Sequence, residues 1–372
     1  MNIDRWIDRT LATQSIPAPT FDEAERAAFI KSEFEASGIP HIDQDDIGNL
    51  FARIPGANAP PLIVSAHLDT VFASHTDLTH RRTRSRLIGP GVGDNSVALA
   101  ALLELSDDLQ NRGLAGDVWL VANVGEEGLG NLRGMREVVA RFGEDVTAYV
   151  VLEGMALGHI YHRALPVRRY RITLKTEGGH SWIHAGRTSA LHKLIEVGGQ
   201  VLDLRIPSHP RTTLNIGRIE GGRSINSIAD MAVMEIDLRS ESETTLDKVD
   251  ERLTSLVEKI HPGDAEIALT QIGSRPGGEL AADHPLVLAA LEALTRAGER
   301  EAHLEFGSTD ASIPLNRGIP AVCVGITKGG EAHTTQEYIE IRPMRKGYAA
   351  VLDLIESAFS LGGNPGTPVS SS

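Results

Sequence analysis

Cysteine is almost missing from this chain: 372 residues carry one, Cys323. That excludes an intrachain disulfide and fits a reducing compartment. Cys323 lies inside the apolar run "AVCVGI", where a small buried hydrophobe is the expected role. Long apolar runs are missing too, and no stretch is long enough to span a bilayer. The opening "MNIDRWIDRTLATQ" carries early acids and no apolar core, so it does not read as a secretory signal. Positive charge is in deficit: 36 Lys and Arg face 50 Asp and Glu, a net charge of −14. That sign argues against nucleic acid or an anionic membrane as partner. There is no internal repeat, and no GxGxxG or GxxxxGK(S/T) phosphate-binding pattern. The expectation is a cytoplasmic protein that engages neither nucleic acid nor membrane.

What is present has an ordinary soluble balance, 41% hydrophobic and 23% charged. The length suggests two domains. Helical spacing runs over 3–13 and 22–36, the second ending at Gly38. "GNLFARIPG" and "LIVSA" read as strands, and 96–110 as an amphipathic helix. "DVWLVANV" and "AYVVL" are further strands with a helix at 132–141 between them. Such alternation predicts a mixed or parallel sheet covered by helices. From about 166 the texture changes. "PVRRYRITLKTEG" alternates strictly; a helix near 188–203, strands "TTLNIGRIEG" and "ADMAVMEIDLRS", a helix at 244–260 and a strand at 265–271 follow. That is the β-α-β-β-α-β order of a ferredoxin-like split pattern. From about 275 the first texture resumes. The reading is an α/β domain (1–166 and 274–360) interrupted by a small α+β domain (167–273), with a disordered tail (361–372).

In open α/β sheets, ligands gather beyond the carboxyl ends of the strands. "LIVSA" is followed by His67 and Asp69, "VWLVANV" by Gly125, Glu126 and Glu127, and "AYVVL" by Glu153. "AVCVGI" leads to a Gly-rich turn ending at His333. Asp94 stands in "GPGVGDNSVA", just before a helix. Singly, each has an ordinary role: a loop-start histidine, a solvated acid pair, a helix cap. Jointly, histidines and carboxylates converge from distant sequence on one edge. Such a set without cysteine suits zinc, or less selectively cobalt or manganese.

The motifs "SAHLDTV", "GPGVGDNSVA", "GEEGLGNLRG", "LEG", "EGGHSW", "LNIGRIEGGRSINSIADMAVMEIDLRS", "FGSTDAS" and "GGEAHTTQEYI" cover about residues 3–357. Together they resemble the co-catalytic dinuclear zinc peptidase and amidohydrolase family. That family includes glutamate carboxypeptidase, peptidase T, aminoacylase, acetylornithine deacetylase and succinyl-diaminopimelate desuccinylase. The resemblance implies a zinc-peptidase catalytic domain and an inserted ferredoxin-like lid and dimerisation domain, hence a homodimer. It implies two zinc ions held by His67, Asp94, Glu127, Glu153 and His333, with Asp94 shared. Asp69 would accept a hydrogen bond from the His67 ring and fix its tautomer. The resemblance makes Glu126 the general base; it cannot easily be a ligand beside Glu127, because adjacent side chains leave an extended chain on different sides. His180 would donate to the tetrahedral oxyanion, and His184 is expected to be a surface residue. Asn226 and Arg239 would meet a substrate carboxylate. Gly307 and Ser308 could offer backbone donors, while Asp310 braces their loop.

The implied reaction is hydrolysis of an amide in a small peptide or N-acyl amino acid through a zinc-bridging water. The resemblance also implies a cis peptide between Asp94 and Asn95. Asn95 and Ser96 depart from the residues that commonly follow the bridging Asp, and the context of His180 departs from that of true tripeptidases. One alternative is a non-catalytic protein binding amino-acid derivatives on the same scaffold. Another takes "GPGVG" as a phosphate-cradling loop.

Overall fold

The computed structural model describes residues 1–261 and 263–361. The chain divides into two compact units, one of Met1–Ala164 with Gly278 onward, the other Leu165–Gly277. The tail from 361 lies outside the described residues, apart from Leu361.

The first unit is built on a mixed sheet. Its strand order is His41–Gln44, Leu50–Ile54, Gly116–Asn123, Ala59–His67, Ala148–Glu153, Ala321–Gly325, His159–Ala164 and Gly278–Glu279. His303–Gly307 runs parallel to His159–Ala164. The four strands Gly116–Asn123, Ala59–His67, Ala148–Glu153 and Ala321–Gly325 are mutually parallel. Their side chains are nearly all buried, as continuous apolar runs in parallel sheets require. Cys323 is one of these buried residues.

Helices Ile3–Gln14, Ala24–Ala36 and Val97–Leu109 pack together, while Pro285–Arg296 packs along Ile341–Leu361. Asn2 caps the first helix through Asp4 N–H and Arg5 N–H, relieving donors with no partner inside the helix. The helix Val97–Leu109 carries an unusual core group, the fully buried Glu104. Arg5 grips it with two bonds of 2.9 and 2.8 Å, and Arg9 adds a third of 2.8 Å. Loss of both arginines would strand the buried Glu104 carboxylate, whereas loss of one leaves the other in place. The ion group therefore clamps the first helix onto Val97–Leu109, whose N-terminal approach carries Asp94.

The second unit is a four-stranded antiparallel sheet with its own core. Its order is Thr212–Gly221, Met231–Ser240, Val167–Lys175, Glu266–Arg275, the order of a split β-α-β-β-α-β unit. Helices Ala190–Leu202 and Glu243–Lys259 are capped by Ser189 and Ser242. The last strand runs to Arg275, beyond the expected 271, through a bulge between Gln271 and Gly273. Two short hairpin pairs escaped the sequence reading: Arg81–Arg82 with Arg86–Ile88, and Gly329–Gly330 with Tyr338–Glu340, joined as one small sheet. Strands of two or three residues carry too little alternation to read.

Candidate metal centre and catalytic site

The parallel strands bring their carboxyl ends to one edge. His67 closes its strand opposite Asn123, and Glu153 closes the next opposite Gly325. Glycine makes the approach of these ends feasible. A Cβ on Gly154, the residue after Glu153, would lie 1.7 Å from Gly93 O. Only glycine lets the Glu153 strand end lie against the Asp94 loop. Gly125, with φ of +65°, turns the chain from its strand into Glu126 and Glu127.

Asp94 is the centre of the group. Its Oδ1 lies 3.0 Å from His67 Nε2, and its Oδ2 lies 3.1 Å from His333 Nε2. Glu153 Oε1 is 3.9 Å from His67 Nε2, and Glu127 Oε1 is 3.6 Å from His333 Nε2. One carboxylate thus faces two imidazoles, and each imidazole has its own glutamate. Ligand atoms of His67, Asp94 and Glu127 all fall within 4.8 Å of one another. The Asp94–Asn95 peptide is cis, as the family resemblance implies. Asn95 Nδ2 donates to Leu152 O at 2.8 Å, tying the Asp94 loop to the strand of Glu153.

Charge states follow from this crowding. Burial opposes a charged His67 ring, but Asp69, Asp94 and Glu153 outweigh it and hold the ring well above its ordinary value. Burial also opposes ionised Asp94, yet His333 and His67 keep it far below the usual carboxylate range. Burial, then the charges of Asp94 and Glu126, push Glu127 up to about 9. Glu153 is driven well above its ordinary value by burial first, then by Asp94 and Glu126. Carboxylates outnumber imidazoles here, so the donor set becomes anionic once its protons leave, as metal binding requires. Asp94 Oδ1 is buried and has no hydrogen bond aligned to it among the described residues, an expensive condition for a carboxylate oxygen. An anionic set of nitrogen and oxygen donors around such an atom fits divalent cations.

Asp69 does more than the sequence implied. The His67 ring Nδ1 makes its aligned bond to the backbone carbonyl of Asp69, at 3.0 Å, with carboxylate Oδ1 at 3.5 Å. The carboxylate, beside the ring, also serves other donors. Its Oδ1 accepts Glu126 N–H and its Oδ2 accepts Glu127 N–H, both at 2.9 Å; Thr20 Oγ1 adds a bond of 2.8 Å. One buried residue thus orients the His67 ring by its main chain and the Glu126–Glu127 pair by its side chain. The reason is geometric: the turn after His67 brings the Asp69 carbonyl back to the ring.

Several supporting residues escaped the sequence reading. Glu337 is fully buried, and its Oε1 accepts Gly93 N–H at 2.7 Å and Asp94 N–H at 2.9 Å. The signal was near at hand, since Glu337 stands four residues after His333 in the same motif. Glu23 accepts Gly125 N–H at 3.1 Å. Buried Arg26 donates to Leu68 O at 2.9 Å and to Ile16 O at 2.6 Å. Its burial, only partly offset by Asp69, pushes its guanidinium down to about 10. Asp310, which was expected from the sequence as a loop brace, is buried and accepts Asn123 Nδ2 at 2.7 Å. Burial, then the charge of Glu126, pushes Asp310 up to about 7.

In the second unit, short strands pair His180 with Ser227, and Ser181 N–H donates to Asn226 O at 3.0 Å. His180 and Asn226 therefore stand on neighbouring segments. Arg239 turns its fork to Asp237, at 2.7 and 3.3 Å. The two are i and i+2 on one strand and share a face. Gly307 ends its strand opposite Ala164, against the Tyr161 ring, with half-buried Ser308 next. His184 is not a plain surface residue: it is half-buried and accepts His180 N–H at 2.9 Å.

The model for "Peptidase family M20/M25/M40" matches residues 63–357. N-acetyl-L-citrulline deacetylase of Xanthomonas campestris pv. campestris is 26% identical, over 89% of this chain and 90% of its own. An M20 family metallo-carboxypeptidase from Sulfolobus solfataricus superposes with a TM-score of 0.78 at 16% identity, over 97% of this chain and all of that one. The YXEP protein of Bacillus subtilis, described as a dinuclear metal-binding peptidase, superposes with a TM-score of 0.65 at 20% identity, over 96% and 98%. The structural likenesses establish the fold.

Proposed function

The chain belongs to peptidase family M20/M25/M40, and from that premise we propose that it is a metal-dependent hydrolase of amide bonds in small peptides or N-acyl amino acids. The observation that carries the reading is Asp94 between two histidines, each with its own glutamate. His67, Glu153 and Asp94 would hold one cation; His333, Glu127 and Asp94 would hold the other, with zinc the proposed metal. The bound ions would supply Lewis acidity, lowering the pKa of water and polarising the substrate carbonyl.

The chain's own residues do the rest. Glu126 is buried beside the ligands and takes the water's proton, then gives it to the leaving nitrogen. Its backbone is pinned by Asp69, so the carboxylate starts from a fixed origin. Glu127, one residue on, is pinned by the same carboxylate and turns the other way as a ligand. His180 donates to the oxygen that gains charge when the carbonyl is attacked. Asn226 stays the candidate for a substrate carboxylate. Arg239 would have to leave Asp237 to share that task. The relatives named for deacetylation support trial of N-acetyl amino acids beside dipeptides. The edge strand Thr212–Gly221 of the second unit offers a sheet edge for a proposed homodimer.

The test is metal analysis with turnover. The protein is stripped, reloaded with zinc, cobalt or manganese, and assayed on dipeptides and N-acyl amino acids. Two ions per chain and metal-restored hydrolysis are expected. Saturation at one ion would overturn the shared role of Asp94. Two ions without hydrolysis of any amide would favour a binding protein.

A further inference from the structure

His180 and His184 close one turn between them. His180 Nδ1 accepts the backbone N–H of Trp182 at 3.2 Å and of Ile183 at 3.4 Å. Four residues on, His184 Nδ1 accepts the backbone N–H of His180 at 2.9 Å, and His184 N–H returns a bond to His180 O at 2.9 Å. This is the reciprocal logic of a capping box, built here from two imidazoles. Glycine at 179 makes it feasible. Its φ is +147°, and a Cβ there would lie 2.6 Å from His184 Nδ1. With that Cβ absent, the His184 ring can close on the His180 N–H.

In a neutral imidazole, a nitrogen that accepts leaves the other carrying the proton. Both Nδ1 atoms accept, so both rings carry hydrogen on Nε2. We infer that this box locks His180 as an Nε2–H donor and that His184 is the residue that positions it. The inference rests on the proposed role of His180 at the developing oxyanion. The tautomer decides whether that role is feasible. An Nε2–H meets negative charge with a donor, whereas the opposite tautomer meets it with a lone pair. Nε2 of His180 has no protein partner among the described residues, so the donor is open to substrate. His184 acts on the main chain of His180, holding the ring's origin while the two N–H groups hold its rotation.

The first experiment reads the tautomers directly. Long-range ¹H–¹⁵N correlation spectra of full-length, ¹⁵N-histidine-labelled protein are assigned with His180→Asn and His184→Asn. Protonated Nε2 with bare Nδ1 is expected on both rings; protonated Nδ1 on neutral His180 overturns the inference. The second experiment is kinetic. His184→Ala should lower kcat about three- to ten-fold, as the loss of one neutral hydrogen bond does, with KM little changed. His184→Asn, whose Oδ1 can accept the same N–H, should recover most of the loss. Gly179→Ala should act like His184→Ala. Native kcat in His184→Ala, or no difference between the Ala and Asn variants, overturns the positioning role. His180→Ala separates this inference from its premise. Full turnover in that variant overturns the catalytic role of His180 itself, whatever the tautomer. Lost turnover there with native His184→Ala overturns only the positioning.

Discussion

Glu337 gives the sharpest test of how the shared ligand is held. Its Oε1 receives two buried backbone N–H groups, from Gly93 and Asp94, at 2.7 and 2.9 Å. Its Oε2 is buried with no hydrogen-bond partner among the described residues. Burial, against only partial relief from those N–H groups, pushes the carboxyl from 4.5 up to about 7. A carboxyl in that state needs no charge to do its work; it needs one accepting oxygen. Glu337→Gln keeps that oxygen, while Glu337→Ala removes it. Each N–H left bare costs about 1–3 kcal/mol, so the Ala variant should lose about 2–6 kcal/mol of stability in the metal-free state. It should also loosen the Asp94 loop and weaken metal binding by about 10- to 100-fold, the usual effect of losing a partner behind a ligand.

The pH dependence carries the sign of the same effect. The folded carboxyl binds its proton more tightly than the unfolded one, so the folded state holds more protons between 4.5 and about 7. Stability from this group is therefore greatest below 4.5, falls as pH rises through that window, and is flat above it. Moving a carboxyl from 4.5 to about 7 corresponds to on the order of 3 kcal/mol. Glu337→Gln cannot titrate, so its stability relative to the native chain should rise by an amount of that order across the window. Denaturant unfolding of the stripped proteins at several pH values measures this, and calorimetric metal titration measures affinity. A Gln variant as damaged as the Ala variant would refute the reasoning, because it would mean that charge, not an accepting oxygen, holds Asp94.

The other predictions separate the remaining roles. Glu126→Gln should keep fold and metal but lose about 10²-fold or more in turnover, whereas Glu127→Ala should lose metal affinity; near-native turnover in Glu126→Gln would reverse the assignment of the pair. Metal loading at neutral pH should release protons, because Glu127, at about 9, and Glu153 hold them in the stripped protein. Calorimetry in buffers of different ionisation enthalpy checks this, and identical heats would count against those charge states; affinity should fall as pH falls. Mixing His180→Ala with Glu126→Ala under subunit exchange should restore part of the activity if a dimer shares its sites. No recovery despite proven exchange would mean that each chain uses its own His180, or that His180 is not catalytic.

How much of this was legible in the sequence depends on the kind of bond involved. His67 and Glu153 end apolar strands, and Glu127 follows one after a short turn, so a pattern of burial ending in polar residues marks them without any knowledge of partners. Asp94 is marked by the helix that starts beside it. The residues that hold these ligands in place leave no such mark. Glu337 reaches Gly93 and Asp94 across more than 240 positions, and Asp69 reaches the Glu126 backbone across 57. In both cases the acceptor is a side chain and the donor is main chain, which every residue has, so composition carries no trace of the pairing. Arg239 is the opposite case. Its partner Asp237 lies two residues away on the same strand face, and period-two alternation alone makes that pair more economical than a distant substrate contact. The capping of His180 by His184 is as local as that, but hidden because histidine is an uncommon cap. What the sequence exposes is therefore the reactive chemistry at strand ends, while the hydrogen bonds that aim it are a property of the folded backbone. The aim, more than the identity of the ligands, is where variants such as Glu337→Ala and His184→Ala should separate this site from others with the same donors.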